Sequence, residues 1–221
     1  MTQNNHDIQE TRQRLLDAAG EIFAEQGFRH TTIREICERA GANVAAVNYH
    51  FRDKEGLYSE VIRYAHRCLT IQNPAEFAQM SHAPAEQRLA AFISNFMHQL
   101  FAPGKSAWHG KLVTREMVEP TSALDHLVEQ EIRPRSLYLM SLVRELIGPE
   151  APDADVSLAT LSVISQCVFY RHAQPVLARL RPQLKFTPEE VAKLAAHITR
   201  FSLVALKNWS CSKPGANPQG V

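Results

Sequence analysis

Thr32, Glu35, Asn43 and Asp53 carry side-chain oxygens at spacings that cap helices, and between them lie Val44, Ala45, Ala46, Asn48, Tyr49 and His50, a run of small and hydrogen-bonding residues. Together they set the chemistry of the stretch TIREICERAGANVAAVNYHFRDKEGL, from Thr32 to Leu57. Small side chains at the front of a helix let its backbone approach the floor of the DNA major groove. Alanine methyls or the Tyr49 ring can pack on thymine methyl groups there. Lys54, just after Asp53, falls in the first turn of a helix, where free N–H groups and the positive dipole end favour an anion. It is therefore expected on a phosphate, and Tyr49 and His50 can add hydrogen bonds to the DNA backbone.

Such residues need helices of defined length to hold them. Thr32 and Glu35 form a capping box, in which each side chain satisfies an orphaned backbone N–H, so a helix begins at about Ile33. Ile33, Ile36, Cys37 and Ala40 give it one apolar face, and Gly41 can take the left-handed conformation that ends it. The turn is only Gly41-Ala42-Asn43, and Asn43 caps a second short helix running from Val44 to about His50. Val47 and Phe51 are spaced to bury against the preceding helices. Ahead of these, Thr11 to Gln26 places Leu15, Ala18, Ala19, Ile22 and Phe23 on one face, with Gly27 as the stop. Three helices then close a small core, and the pattern is a helix-turn-helix with its second helix shaped for the major groove.

From about Arg12 to Tyr64, through RLLDAAGEIFAEQGFRHTTIREICERAG, NVAAVNYHF and DKEGLY, the chain resembles the TetR family of one-component transcriptional regulators. The resemblance implies that Asn43 through His50 form the recognition helix and that Arg34 contacts a base or a phosphate. The DNA-binding set expected is thus Thr32, Arg34, Asn43, Val44, Ala45, Ala46, Asn48, Tyr49, His50 and Lys54. Two positions depart from the family, which commonly has Gly at Ala45 and Tyr at Asn48. Further on, KLVTREMVEPTSAL and IRPRSLYLMSLVRELIG resemble the subgroup with a CecR-type, CerR-like C-terminal region.

Composition fits this reading and excludes others. The 221 residues are 45% hydrophobic, which allows a sizeable core, and no run approaches the roughly 20 apolar residues of a membrane span. The polar start MTQNNHDIQE lacks the order of a signal peptide, so a cytoplasmic place is expected. Cys37, Cys68, Cys167 and Cys211 are scattered, which favours incidental thiols over a zinc site or disulfide framework; Cys211 is the most reactive candidate. Net charge is +1, and residues 27–67 hold seven basic side chains against five acidic ones, a modest surplus for a DNA binder. No Gly-rich phosphate loop, nucleophile elbow, HExxH or paired-carboxylate motif is present, so neither an enzyme nor a cofactor or metal is expected.

Beyond Leu57 the apolar spacing stays helical. Val61, Ile62, Ala65, Cys68 and Leu69 extend a fourth helix, the natural lever, and Pro74 to Pro84 reads as a loop. Leu89, Phe92, Ile93, Phe96, Met97 and Leu100 mark a helix ended by Pro103-Gly104, followed by a shorter one around Trp108 to Met117. Thr121 to Ile147 must bend or split at Pro134. Two longer patterns follow, Ala154 to Leu180 and Pro188 to Lys207, the latter with Thr187 as cap and Pro188 at the first position. The expected organisation is all-α: a three-helix DNA-binding domain over 1–53, a helical effector-binding and dimerisation domain over 54–210, and a disordered tail over 211–221.

Phe92, Phe96, Met97, Trp108, Leu112, Met117, Phe169, Tyr170 and His172 combine bulky apolar groups with a few polar ones, which suits a small-molecule pocket and equally suits plain core. His109 and Glu116 lack a metal-ligand spacing, and Arg115-Glu116 reads as a surface pair. Leu161, Ile164 and Val168 on one late helix, with Leu194, Ile198 and Phe201 on the other, supply a dimer seam or complete the monomer's own core. The partners expected are double-stranded operator DNA, a small-molecule effector and a second copy, with no membrane. The alternative is a dimeric ligand-binding or adaptor protein that keeps the fold without DNA binding.

Overall fold

The computed structural model describes residues 2–69, 82–101 and 107–209, and every regular element among them is helical. Four helices come first: α1 (Thr2–Gln26), α2 (Ile33–Ala40), α3 (Val44–Phe51) and α4 (Lys54–Leu69). They are followed by α5 (Ala85–Phe101), α6 (Ala107–Val118), α7 (Ser122–Leu127), a π-helical turn (Val128–Ile132) and α8 (Arg133–Ile147). The last are α9 (Asp153–His172), α10 (Gln174–Leu180) and α11 (Pro188–Lys207). None of the described helices is long and apolar enough to cross a membrane.

The chain folds as two compact units: Met1–Ile71 with Ala102–Arg133, and Gln72–Phe101 with Pro134–Val221. In the first, Leu15, Leu16, Ile22 and Phe23 of α1 pack with Ile36, Val47, Phe51, Leu57 and Ile62, and with Trp108, Leu112 and Leu127. The division differs from the one expected at residue 53. α1, α2 and α3 alone leave apolar surface uncovered, and α4, α6 and α7 cover it. Trp108 shows how closely: a Cβ on Gly20 would run into its indole ring. In the second unit, Leu89, Phe92, Ile93 and Met97 of α5 bury against Leu139, Val143, Val156, Val163, Cys167 and Ile198.

Several helix limits depart from the sequence pattern for identifiable reasons. α1 starts at Thr2, not near Thr11, because its first turns are polar and carry no apolar stripe to mark them. The expected split at Pro134 takes the form of the π turn. Proline has no N–H for the carbonyl four residues back, and its ring crowds that turn, so the helix widens before it and resumes with Pro134 in its first turn. The helix expected over Ala154 to Leu180 is broken at Ala173, because Pro175 fits the first turn of a new helix and not the interior of an old one. α11 begins as expected: Thr187 Oγ1 accepts from the Glu190 N–H at 3.3 Å, with Pro188 first. The Pro103-Gly104 stop, most of the loop Pro74 to Pro84, Cys211 and the tail lie outside the described residues.

Candidate nucleic-acid interface

Caps fix the two helices of the motif at both ends. The Thr32 hydroxyl accepts from the Glu35 N–H at 3.3 Å, and the Glu35 carboxylate accepts from the Thr32 N–H at 2.8 Å, completing the capping box. These bonds to Thr32, its backbone N–H first, hold the Glu35 carboxyl below its ordinary range. Gly41 ends α2 in the left-handed region at φ 59, and the Ala42 N–H then reaches the Cys37 carbonyl at 3.0 Å. Two residues on, Asn43 Oδ1 accepts from the Ala46 N–H at 2.8 Å and starts α3. Its side-chain amide N–H groups are left exposed for an outside acceptor.

α3 divides into two faces. Val47 and Phe51 are buried, and Ala46 packs partly against the same core. The opposite face shows Val44, Ala45, Asn48 and Tyr49 to solvent, with Tyr49 72% exposed. So open a ring is free to stack on or hydrogen-bond to a partner. The His50 ring meets Tyr49 edge-on at 5.0 Å and lies 5.8 Å from Phe51, joining the exposed tyrosine to the core.

The turn into α4 supplies the cations. Asp53 Oδ1 accepts from the Gly56 N–H at 2.7 Å, as an N-cap does, and places Lys54 in the first turn. Lys54 Nζ sits 4.5 Å over the Phe28 ring, a cation–π contact that fixes an otherwise free side chain. Arg34 is paired to Glu38 at 2.9 Å, and both are largely exposed. Such an i,i+4 pair stabilises by only about 0.3–0.5 kcal/mol and is readily exchanged for a phosphate. Two cations escape sequence reasoning. Arg52 is exposed at the end of α3 with φ 73, a conformation unmarked by glycine, and Arg12 lies 5.4 Å over the Phe51 ring while paired to Glu60 at 2.7 Å.

His50 is held below its ordinary 6.5, first by burial and then by the Arg12 guanidinium. The folded state therefore binds the proton less readily than the unfolded one. Its stabilising effect is complete above the unfolded value and declines as pH falls below it. A His50→Gln chain is expected to lose less thermal stability than wild type between about pH 6.5 and 5. Superimposable pH profiles in thermal melts would count against this assignment.

The remaining expected residues disperse. Trp108 and Leu112 are buried in the first unit's core, while Phe92 and Met97 are buried in the second's, with Phe96 and Tyr170 partly buried against it. Met117, Phe169 and His172 are exposed, so none of them lines an enclosed space within its own unit. Surface clefts of about 680, 750 and 640 Å³ are lined by other residues, the first two in the first unit and the third between α5 and α11. Among the seam residues, Leu161 and Phe201 are each 60% exposed, Ile164, Val168 and Leu194 are half-buried, and Ile198 is buried in its own core. Glu116 is a correction. It is no surface residue but fully buried, its carboxylate taking bonds from Tyr58 and Thr121. Cys37, Cys68 and Cys167 are free and buried; burial raises the Cys37 thiol and pushes that of Cys167 to about 12.

Comparison with known proteins agrees with this geometry. A family model described as bacterial regulatory proteins, tetR family, matches residues 15–61. A second, described as the C-terminal domain of the HTH-type transcriptional dual regulator CecR, matches residues 85–206. The chain is 30% identical over 171 residues to the HTH-type transcriptional dual regulator CecR of Shigella flexneri, covering 74% of this chain and 76% of that one. It is 31% identical over 128 residues to the HTH-type transcriptional regulator BetI of Burkholderia thailandensis, covering 58% and 63%. Among solved structures, a putative transcriptional regulator from Pseudomonas aeruginosa aligns with a TM-score of 0.63 at 20% identity, over 90% of this chain and 93% of that one. A TetR-family transcriptional regulator from Streptomyces coelicolor aligns with a TM-score of 0.61 at 20% identity, over 90% and 97%. These two likenesses concern the fold alone.

Proposed function

Because the chain belongs to the TetR family of DNA-binding transcriptional regulators, with a CecR-type C-terminal domain, we propose that it acts in the cytoplasm as a homodimeric, ligand-responsive repressor of a palindromic operator. The observation that carries this reading is the solvent-facing side of α3, where Val44, Ala45, Asn48 and Tyr49 are exposed after the cap Asn43, with Arg34 exposed on α2 and Lys54 in the first turn of α4. Small and aromatic groups would meet base edges, and the flanking polar and cationic ones would meet phosphates. Thr32 contributes as the cap that starts α2, its hydroxyl already engaged by Glu35.

Two copies would join through α9 and α11, where Leu158, Leu161, Phe169, Phe201 and Val204 leave apolar surface open. A two-fold pair of helix-turn-helix units then reads two half-sites spaced by whole helical turns. The effector would enter the second unit near Phe92 and Phe96, whose rings lie 6.2 Å apart, and Tyr138, 6.2 Å from Phe92. By binding one arrangement better than the other, it would move α4 and alter the separation of the recognition helices.

The test is fluorescence anisotropy with duplex DNA from immediately upstream of the chain's own coding region. Tyr49→Ala is expected to weaken binding by about 1–3 kcal/mol, and Lys54→Ala to weaken it with a salt slope shallower by about one unit. Equal affinities for both variants and wild type would refute these roles, and no binding at low ionic strength would leave only the ligand-binding or adaptor reading. The Shigella flexneri relative is described as a dual regulator, so a reporter placed behind the bound DNA distinguishes repression from activation by the sign of the change on deleting the regulator.

A further inference from the structure

Glu116, on α6, is a buried carboxylate that the DNA-reading surface leaves unexplained. Three donors converge on it. The Tyr58 hydroxyl donates to Oε2 at 2.7 Å, while the Thr121 N–H and hydroxyl donate to Oε1 at 2.8 and 2.9 Å. A shielded carboxylate is costly unless such bonds replace its water, and bonds to an ionised acceptor are the strong ones. The same Thr121 hydroxyl accepts from the Ala123 N–H at 3.2 Å and caps α7. One side chain thus ties α6 and the cap of α7 to α4, across 58 positions of sequence.

From Tyr58 the contacts continue toward the DNA-facing surface. Its ring meets Phe23 edge-on at 4.8 Å and Phe28 at 4.9 Å, and Phe28 is the ring over which Lys54 Nζ is held at 4.5 Å. Burial, with the hydrogen bond to Glu116 next, raises the Tyr58 phenol above its ordinary 10.0, so it stays a donor at any working pH. Beside Glu116, Arg115 extends over Gly27, where a Cβ would come within 2.8 Å of its Nε, and its Nη1 donates to the Glu25 carbonyl at 3.4 Å, at the end of α1. Arg115 therefore holds the end of α1, from which the turn carrying Phe28 leaves, while Glu116 holds the Tyr58 of α4 against which that ring packs.

We infer that Glu116 is a positioning residue for operator binding: through Tyr58 and Phe28 it sets where the Lys54 ammonium stands, although it lies far outside the helix-turn-helix in sequence. This rests on the phosphate role given to Lys54 above. A residue that only supported the fold would lower thermal stability and weaken binding by the same factor whatever stood at position 54. A residue acting through Lys54 loses its effect when that lysine is gone.

The experiment is a double-mutant cycle by anisotropy on the upstream duplex, with Tyr58→Phe and Glu116→Gln each made in the wild-type and Lys54→Ala backgrounds. Tyr58→Phe keeps the ring and removes only the donor, so it remains informative if Glu116→Gln fails to fold. Each is expected to weaken binding about fivefold in the wild-type background, with a shallower salt slope, and less than about twofold in the Lys54→Ala background. Unchanged affinity, or the same fold-loss in both backgrounds, overturns the inference. If Lys54→Ala alone binds as wild type, the phosphate role itself falls and the inference with it, an outcome distinguishable from the others by that single curve.

Discussion

If two copies join through α9 and α11 as proposed, wild type is expected to sediment as a dimer and a Leu161→Asp chain as a monomer that loses about a hundredfold in operator affinity with its helical content unchanged. Leu161 stands 60% exposed in the middle of α9, with Leu158 and Phe169 open on the same helix and Phe201 and Val204 open on α11. In a two-fold interface each substitution acts twice, and an aspartate there must shed its water against an apolar surface that offers no partner. The fold itself should not notice, since Leu161 makes no part of the second unit's buried core. Affinity falls because two linked half-site contacts become two separate ones. Phe201→Asp should behave alike. A Leu161→Asp chain that stays dimeric by sedimentation, or binds DNA undiminished, would remove the seam from α9.

Gly56→Ala is expected to lower stability by about 3 kcal/mol, a fall of about 6–12 °C in melting temperature for a chain of this size. The sign is what makes this informative. Alanine in place of glycine within a helix ordinarily stabilises by up to about 1 kcal/mol. Here a Cβ would be driven against the carbonyl oxygen of Phe51. That carbonyl has little room to retreat, because the Phe51 side chain is buried in the first core and the next residue, Arg52, already sits at φ 73. DNA binding should fall with stability, since the α3–α4 turn carries Lys54. A melting temperature at or above wild type would show that the turn can relax.

The parts of the motif that sequence reveals are those whose partners lie within four residues. Thr32 with Glu35, Gly41, Asn43 with Ala46, and Asp53 with Gly56 are local hydrogen-bonding problems, and residue type at fixed spacing solves them. The open face of α3 follows for the same reason, because burying Val47 and Phe51 turns Val44, Asn48 and Tyr49 outward. What stays hidden is distant. Apolar spacing says that Trp108 and Leu112 are buried but not against what, and the structure sets them against α1 and α4 instead of in an effector pocket. Glu116 looks like any surface glutamate until Tyr58, 58 positions earlier, is brought to it. The run of contacts from Glu116 to Lys54 crosses three separate stretches of chain, so no window of sequence contains it.

The discontinuity of the first unit bears on how this molecule is made. Its core needs Trp108, Leu112, Ala123 and Leu127, which leave the ribosome only after the thirty residues Gln72–Phe101 that belong elsewhere. An emerging polypeptide therefore carries its helix-turn-helix for some time before the late segment arrives to close the space beside α1 and α4. The first core is therefore complete only once residues up to Arg133 are free to fold back.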